Sequence, residues 1–228
     1  SRNWMGMKSP AAEAVIAAGA EAMSRGPYLL TQARWGARMG DMKSIDYMLG
    51  ILHDPFEGFH MGITAENVAE KNGITRAMQD EVAITSQQRA ARAIAEGRFD
   101  SQIVPIEIPG RKGPVQFKVD EHVRAEVSAE QLAGMKPAFR KDGTVTAGNA
   151  SGLNDGAGAL VMATGAMVER LGLRPLARLV AYAHAGVEPE LMGLGPVPAT
   201  RKVLEKAGLS VADLDVIESN EAFAAQAC

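Results

Sequence analysis

The sequence predicts an α/β fold in which strands and helices alternate, with a mostly parallel sheet covered on both faces. The last third of the chain indicates this alternation, because short apolar segments are followed there by helix-like ones. The middle third, residues 25–149, does not alternate cleanly and is interpreted as an insertion carried by the layered core. Of the 228 residues, 46% are apolar and 22% are charged, which provides enough apolar side chains to bury a core.

Composition argues against several classes of protein. The 24 basic residues are outnumbered by 27 acidic ones, and the net charge of −3 lacks the basic excess typical of nucleic-acid binding. The single cysteine, Cys228, can form neither an internal disulfide nor a thiolate metal cluster, which favours a reducing, cytoplasmic setting. No apolar run approaches the roughly 20 residues of a membrane span, and residues 1–8 show no signal-peptide pattern. We therefore expect no nucleic-acid, membrane or metal partner.

The first segments are predicted to be a strand and a long loop. Val15 and Ile16 lie among alanines, so residues 13–20 predict a short buried strand. Residues 24–46 combine several glycines and methionines with Trp35 and show no steady period. A loop of this length is typical of a binding or assembly element, and a covered surface loop with buried anchors is the alternative.

Two helices are predicted next. Thr64 as N-cap and Gly73 as stop predict the first. The second runs from Thr75 to Glu96 and is closed by Gly97. Apolar residues at positions 78, 82, 83, 90 and 94 recur at helical spacing, which predicts one buried stripe.

A hairpin and the alternating last third complete the prediction. Two strand-like segments, residues 103–108 and 115–119, flank a turn that contains Pro109, Gly110 and Gly113. Further along, the pattern predicts buried strands at residues 156–163, 176–182 and 214–218, and helices that end at Arg170, Ala207 and Ala227.

The densest cluster of small residues lies at positions 146–158. Glycines there would let a ligand approach the main chain, and Asn149, Ser151 and Asn154 supply polar side chains. Tight packing between elements is the alternative interpretation. The dinucleotide-binding fingerprint is absent, because no G-x-G-x-x-G opens a helix here.

Asn220 and His60 are the remaining candidates for chemistry. Asn220 lies at a predicted strand-to-helix junction, where its amide would either cap the helix or hold a water or an oxyanion. His60 precedes a predicted helix, and a structural role is the alternative to a catalytic one.

Taken in order, several segments resemble the thiolase family, specifically its bacterial biosynthetic type (acetyl-CoA acetyltransferases and beta-ketothiolases). The matching segments are residues 23–28, 33–41, 60–69, 144–159, 192–199 and 220–225. The resemblance extends from about Ala14 to Cys228, whereas residues 1–10 match poorly. Several ordered matches in one chain are more specific than any single motif.

The resemblance implies a layered α/β/α/β/α fold with an inserted α+β loop domain, incomplete at both ends. Residues 1–24 would end the N-terminal half, and residues 25–150 would be the loop domain, for tetramerisation and CoA binding. Residues 151–173 would complete the N-terminal half, and residues 174–228 would begin the C-terminal half. Residues 24–46 would form the arm through which thiolases build tetramers, as dimers of dimers.

The resemblance also implies acyl transfer between CoA thioesters, by condensation of two acyl-CoA molecules or by the reverse thiolysis. Such enzymes contribute to fatty acid metabolism and to the synthesis of polyhydroxyalkanoate precursors, with coenzyme A as substrate rather than as a permanent cofactor. The family's nucleophilic cysteine, its histidine and its second cysteine are missing from these 228 residues. The chain alone is therefore expected to be inactive, and Cys228 is interpreted as a buried structural residue. The alternative is a non-catalytic thiolase-like protein that binds CoA esters.

The functional residues that carry over from the family fall into two groups. Asn220 matches the residue that holds the water of one oxyanion hole, and it is the one catalytic residue present. The residues that match the lining of the CoA and pantetheine path are Leu52, His60, Met61, Arg124, Phe139, Ala147, Ser151, Met192 and Phe223.

Overall fold

The computed structural model describes residues 12–228, in which six strands and seven α-helices are formed. The part of the first predicted domain that precedes residue 12 lies outside the described residues. In chain order the elements are β1 (Ala14–Ala22), β2 (Tyr28–Leu29), β3 (Ile45–Asp46), α1 (Tyr47–Ile51), α2 (Met61–Asn72), α3 (Arg76–Ala95), β4 (Ile106–Ile108), β5 (Val115–Phe117), α4 (Ala129–Ala133), β6 (Asp155–Ala163), α5 (Gly165–Leu171), α6 (Pro196–Ala207) and α7 (Ala224–Ala227).

The described chain divides into two compact units. The first unit contains the described residues up to Ile51 together with Leu153–His184 and Thr200–Val211. The second unit contains Leu52–Gly152, Ala185–Ala199 and Ala212–Cys228. All ten residues that the sequence nominates for a functional site lie in the second unit.

The first unit is organised around β1 and β6, which pair antiparallel from Ala14 opposite Ala163 to Ala22 opposite Asp155. The prediction of a mostly parallel sheet is wrong for the described residues, whose three sheets are antiparallel pairs. The predicted burial of these two strands is wrong as well. Ile16 is 74% exposed and Val161 is 80% exposed, because no described helix covers this pair of strands.

Polar contacts hold both ends of the β1–β6 pair. Ser24 donates to the Asp155 carboxylate from its backbone nitrogen (2.9 Å) and its hydroxyl (2.6 Å), which lowers the pKa of Asp155. At the opposite end Arg170 of α5 donates to both carboxylate oxygens of Glu13, at 2.8 and 2.6 Å. This contact links the helix to the start of β1.

The second unit begins with α2, whose ends follow local rules. Gly73 adopts a left-handed conformation (φ 66°) and ends the helix, as predicted. The predicted N-cap is wrong: His60 caps the helix, one turn earlier than Thr64. Thr64 is buried inside α2, where its hydroxyl donates to the Met61 carbonyl at 2.6 Å. Because histidine is not among the residues strongly preferred as N-caps, propensity pointed to threonine instead.

Helix α3 has the predicted ends and a different buried face. Thr75 accepts from Met78 N at 3.3 Å, and Gly97 (φ 67°) follows the last turn. The predicted apolar stripe is only partly covered, since Met78 is 45% exposed. The buried positions are instead the polar residues Gln79 and Asp80, which take part in hydrogen bonds inside the second unit.

The remaining predicted elements are confirmed in part. The hairpin forms as β4 and β5, with Ile106 opposite Phe117 and Ile108 opposite Val115. Helices α5 and α6 are present and are followed by left-handed glycines at positions 172 and 208. Residues 176–182 and 214–218 form no strand, because they pair with no partner in the described part of the chain, and α7 is shorter than predicted.

The core of the second unit is small. Buried Ala65 and Ala69 of α2 pack with Val145 and Ala225, and the half-buried Phe139 and Phe223 cover this cluster. Within residues 12–228 no helix has the length and apolar character needed to cross a bilayer. The same residues contain no group of three or more side chains suited to holding a metal ion.

Candidate functional site

His60 occupies the N-terminus of α2 and is held by three contacts. Its Nδ1 accepts a hydrogen bond from Gly62 N at 2.9 Å, which requires an imidazole that is unprotonated at this nitrogen. Residues 53 and 60 form an antiparallel bridge, and the two imidazoles meet edge to face at 5.1 Å. Partial burial, followed by the charge of His53, lowers the pKa of His60. The neutral form is therefore favoured.

A row of aromatic rings extends from this histidine. His60 stacks on Phe139 with ring centroids 4.7 Å apart and planes at 24°. Phe139 in turn meets the edge of Phe223 at 6.1 Å and 80°. Gly62 makes this packing possible, because a Cβ at position 62 would collide with the ring of Phe139. Side chains from three distant parts of the sequence thus form one continuous apolar wall.

Leu52 and Met61 lie at the same end of α2. The backbone nitrogen of Met61 donates to the Leu52 carbonyl at 2.8 Å, next to the antiparallel bridge between residues 53 and 60. Both side chains are half-buried. The backbone pairing therefore places Leu52, His60 and Met61 together, although the first two are eight positions apart.

Ser151 is joined to the segment that contains Phe223. Its nitrogen donates to the Ala222 carbonyl at 3.0 Å, and Ala224 N donates to the Asn149 carbonyl at 2.9 Å. The bridge between Ala150 and Phe223 lies between these two bonds. Ser151 itself is exposed, so its hydroxyl is accessible.

The glycine-rich segment agrees with the packing interpretation at its first glycines. A Cβ at Gly148 would meet the side chains of Leu132 and Met135, and one at Gly152 would collide with His122. Ala147, next to Gly148, is exposed. Close packing explains these two glycines, whereas the side chain of Ala147 remains accessible to solvent.

Asn220 is exposed and does not cap a helix, because α7 begins only at Ala224 and its N-cap residue is Phe223. Its segment is tied to α3 instead, through a 2.6 Å hydrogen bond from the Ser86 hydroxyl to the Glu221 carboxylate. The interpretation of Cys228 as a buried structural residue is wrong, since the residue is exposed. Partial desolvation of its thiol raises the pKa, which disfavours the reactive thiolate.

Arg124 and Met192 lie on other elements of the second unit. Arg124 is exposed in the loop before α4, and its backbone nitrogen donates to Gln87 Oε1 at 2.7 Å. Met192 is 45% exposed in a short 3₁₀ helix, Pro189–Leu194, that packs against α2. Hydrogen bonds, bridges and ring contacts thus link six of the ten nominated residues: Leu52, His60, Met61, Phe139, Ser151 and Phe223.

Of the six linked residues, Ser151 is exposed and the other five are half-buried. The two described concavities lie in the first unit: one of about 410 Å³ beside Trp35 and Met39, and one of about 500 Å³ against the small residues of β1 and β6. Neither includes a nominated residue.

Sequence reasoning missed three residues that organise this site: His53, Ser86 and Glu66. The buried Glu66 carboxylate accepts hydrogen bonds from the backbone nitrogens of Thr144 and Val145. Glu66 and Ser86 act on residues 78 and 135 positions away, which no local pattern reveals. The spacing of His53 and His60 was visible, but the antiparallel bridge that brings them together was not.

Comparison with solved structures defines the class of protein. The chain superposes on the acetyl-CoA acetyltransferase of Bacillus anthracis with a TM-score of 0.90 at 53% identity, over 98% of this chain and 57% of the other. It superposes on human mitochondrial 3-ketoacyl-CoA thiolase in complex with CoA with a TM-score of 0.89 at 43% identity, over 97% and 55%. The fold is therefore the layered α/β fold of these proteins.

Sequence comparison identifies the family. Residues 2–166 match the thiolase N-terminal domain, and residues 173–228 match the thiolase C-terminal domain. The chain belongs to the thiolase family. The match begins upstream of Ala14, where the resemblance was expected to start.

The curated relatives are enzymes by name. Beta-ketothiolase BktB of Cupriavidus necator is 61% identical over 217 residues, which cover 95% of this chain and 55% of that protein. Acetyl-CoA acetyltransferase of Pseudomonas aeruginosa is 56% identical, over 94% and 55%. The chain thus spans about half the length of the curated relatives that it matches.

Proposed function

We propose that these residues take part in acyl transfer between CoA thioesters, by condensation of two acyl-CoA molecules or by thiolysis of a 3-ketoacyl-CoA. The observation that supports this most is the junction of Ser151 with the Phe223 segment, next to the row formed by His60, Phe139 and Phe223. A hydroxyl beside an apolar wall suits a pantetheine chain, which is largely apolar and carries amides.

The proposed roles follow from this arrangement. Ser151 and His60 would contact the pantetheine, while Met61, Met192 and Phe223 would surround the thioester. The Asn220 amide would hold the water of an oxyanion hole, where a fixed donor stabilises developing negative charge. Arg124 would attract the phosphates of the nucleotide end. The residues proposed to complete the lining are Leu52, Phe139 and Ala147.

We further propose the domain division that the resemblance implies: residues 1–24 and 151–173 in the N-terminal half, residues 25–150 as the loop domain and residues 174–228 in the C-terminal half. The gap between the two family matches, residues 167–172, supports a border between the two halves close to residue 174. Cytoplasmic acyl-CoA metabolism, including polyhydroxyalkanoate precursor synthesis, and a homotetramer built through residues 24–46 are parts of the same proposal.

The 228-residue chain is proposed to bind CoA without turning over acetoacetyl-CoA. The family's reactive cysteines and histidine are missing from its sequence, and a thiolase needs a thiolate to attack the thioester. The same lack of reactive residues favours a second candidate, a non-catalytic protein that binds CoA esters. The complete gene distinguishes the two, because only the enzyme requires the cysteine and histidine motifs in its flanking sequence.

Calorimetric titration tests the proposal, with CoA as ligand and NAD as the comparison. We expect CoA to bind and NAD not to bind. The substitution Arg124→Glu should weaken the affinity for CoA at least about tenfold, because it places a carboxylate near the phosphates. The affinity for pantetheine, which has no nucleotide, should stay unchanged.

Arg98→Glu is the matched control, since it makes the same charge change at an arginine that is paired with Glu96 at the end of α3. Equal binding of CoA and NAD, or equal effects of the two substitutions on CoA affinity, would contradict the proposal. Turnover of acetoacetyl-CoA by the pure chain would overturn the claim that its reactive groups are missing.

A further inference from the structure

Asn149 is buried, with 3% of its surface exposed, and every polar atom of its side chain is used. Its Oδ1 accepts from Thr146 N at 2.7 Å. Its Nδ2 donates to Asp80 Oδ1 at 2.9 Å and to the Thr144 carbonyl at 3.1 Å. Both amide protons are used and the side chain is buried, so an effect of Asn149 on binding must act through its neighbours.

The Asp80 carboxylate anchors this side chain to α3. Asp80 is 8% exposed and is paired with Arg76 one turn earlier at 2.8 Å. Arg76 also donates to the carbonyls of Leu132 and Met135, the latter at 3.2 Å. The carboxylate is thus held in one orientation, and the Asn149 amide is held against it.

Glu66 of α2 fixes the other end of the same turn. Its buried carboxylate accepts from Thr144 N at 3.0 and 2.9 Å, from Val145 N at 2.9 Å and from the Thr144 hydroxyl at 3.1 Å. A buried carboxylate is tolerated where donors satisfy it, as here. The turn from Thr144 to Asn149 is therefore clamped between α2 and α3.

The backbone of Asn149 connects this clamped turn to Ser151 and the Phe223 segment, which belong to the proposed binding site. Its carbonyl accepts from Ala224 N, and the next bond of the ladder joins Ser151 N to the Ala222 carbonyl. The side chain of Asn149 holds the turn, while its carbonyl holds the segment that contains Phe223.

We propose that Asn149 is a positioning residue, which sets the placement of Ser151 relative to Phe223 through the Asp80–Asn149 hydrogen bond and the Asn149 carbonyl. The inference rests on the proposed function for its ligand, CoA, and on the described contacts for its geometry. Asparagine suits the position because it both donates to Asp80 and accepts from Thr146.

The variant Asn149→Asp tests the donor. It places a second carboxylate about where the amide nitrogen now lies, 2.9 Å from Asp80 Oδ1, so the two charges repel at neutral pH. The new carboxylate oxygen also faces the Thr144 carbonyl, which loses its donor. The variant should therefore loosen the turn that Asn149 holds.

Two readouts are measured at neutral pH, always relative to the wild-type chain. The protection of the Ser151 and Ala224 amides against hydrogen exchange should fall at least about tenfold, and the affinity for CoA should fall by a similar factor. Amides in the last two turns of α3 should keep their protection.

Asn72→Asp is the matched control, because it adds the same charge at an exposed asparagine of α2. Its exchange and CoA affinity should stay at wild-type values. The swapped variant Asn149→Asp with Asp80→Asn restores an amide–carboxylate pair and should recover part of both readouts, because only the bond to the Thr144 carbonyl stays lost. This second variant keeps the test valid where the single variant folds poorly.

Three outcomes would overturn the inference: unchanged protection of Ser151 and Ala224 in Asn149→Asp, an equal loss of protection along all of α3, or no recovery of protection in the swapped variant. Failure of the wild-type chain to bind CoA would instead refute the proposed function. The exchange readout needs no ligand, so the two failures are distinguishable.

Discussion

At the scale of single residues, the site depends on Gly62, which has no side chain, and on the imidazole of His60 at the start of α2. Gly62 leaves the space that the Phe139 ring occupies, and His60 stacks on that ring while its Nδ1 caps the helix. One imidazole therefore serves both the helix and the aromatic row. Protonation at Nδ1 would convert the acceptor into a donor and place a positive charge at the helix N-terminus, where it is unfavourable.

This geometry predicts a pH dependence of stability. The pKa of His60 is lowered in the folded state, whereas the unfolded chain takes up the proton near the ordinary value of about 6.5. The unfolded state then binds more protons in this window, so the free energy of unfolding falls as the pH drops through the folded pKa and is fully retained above about pH 6.5.

The variant His60→Asn should show a shallower loss of stability between about pH 7.5 and about pH 5, because asparagine can accept at an N-cap and does not titrate. Urea unfolding at several pH values measures this. His184→Asn, in the first unit, is the control and should retain the wild-type slope. If the free energy of unfolding depended on pH equally in the wild type and in His60→Asn, His60 would not be the group responsible.

At the scale of elements, α3 is the support on which the site is built. Its first turns contain the buried Gln79 and Asp80, and further along Ser86 holds Glu221 beside Asn220. The hydroxyl of Thr75 caps the N-terminus of α3, close to the buried Gln79 and Asp80. Fraying of this end would loosen the contact between Asp80 and Asn149.

The substitution Thr75→Ala should lower the free energy of unfolding by about 0.5–1 kcal/mol, because the Met78 nitrogen loses its acceptor. The helical circular-dichroism signal followed in urea provides the measurement. Thr75→Asp is the matched control, since it retains an acceptor and adds a negative charge at the helix N-terminus, and it should equal or exceed the wild type. A Thr75→Ala chain as stable as the wild type would show that this cap contributes nothing.

At the scale of the whole molecule, the two units differ in how much they bury. The second unit has a small closed core, whereas the β1–β6 pair of the first unit exposes Ile16, Leu160 and Val161 to solvent. Exposed apolar strands with free edges favour self-association. We therefore expect the isolated chain to associate through these strands.

The paired substitution Ile16→Lys and Val161→Glu should weaken this association at least about tenfold. The two residues are direct partners across the strands, so the new charges attract while the apolar surface is lost. Sedimentation velocity over a range of concentrations gives the measurement. Gln88→Lys with Gln102→Glu makes the same charge changes on exposed polar positions of the second unit and should leave association unchanged. Equal behaviour of both pairs would exclude the strands as the interface.

Much of the local structure and the family were predictable from the sequence. The glycines at positions 73, 97, 172 and 208 all adopt the left-handed conformation that ends or follows a helix. Thr75 caps α3, and the hairpin forms where its turn residues predict it. These features depend on the backbone preferences of a few neighbouring residues, which any single sequence displays.

The tertiary structure alone decided which residues meet. It made His60 rather than Thr64 the cap of α2, left Asn220 and Cys228 exposed, and paired β1 with β6 antiparallel instead of within a parallel sheet. It also buried the polar Gln79 and Asp80 of α3, while Met78 of the predicted apolar stripe stayed 45% exposed. Burial and hydrogen bonding between distant residues depend on how the whole chain packs, whereas a local pattern records only what its own segment prefers.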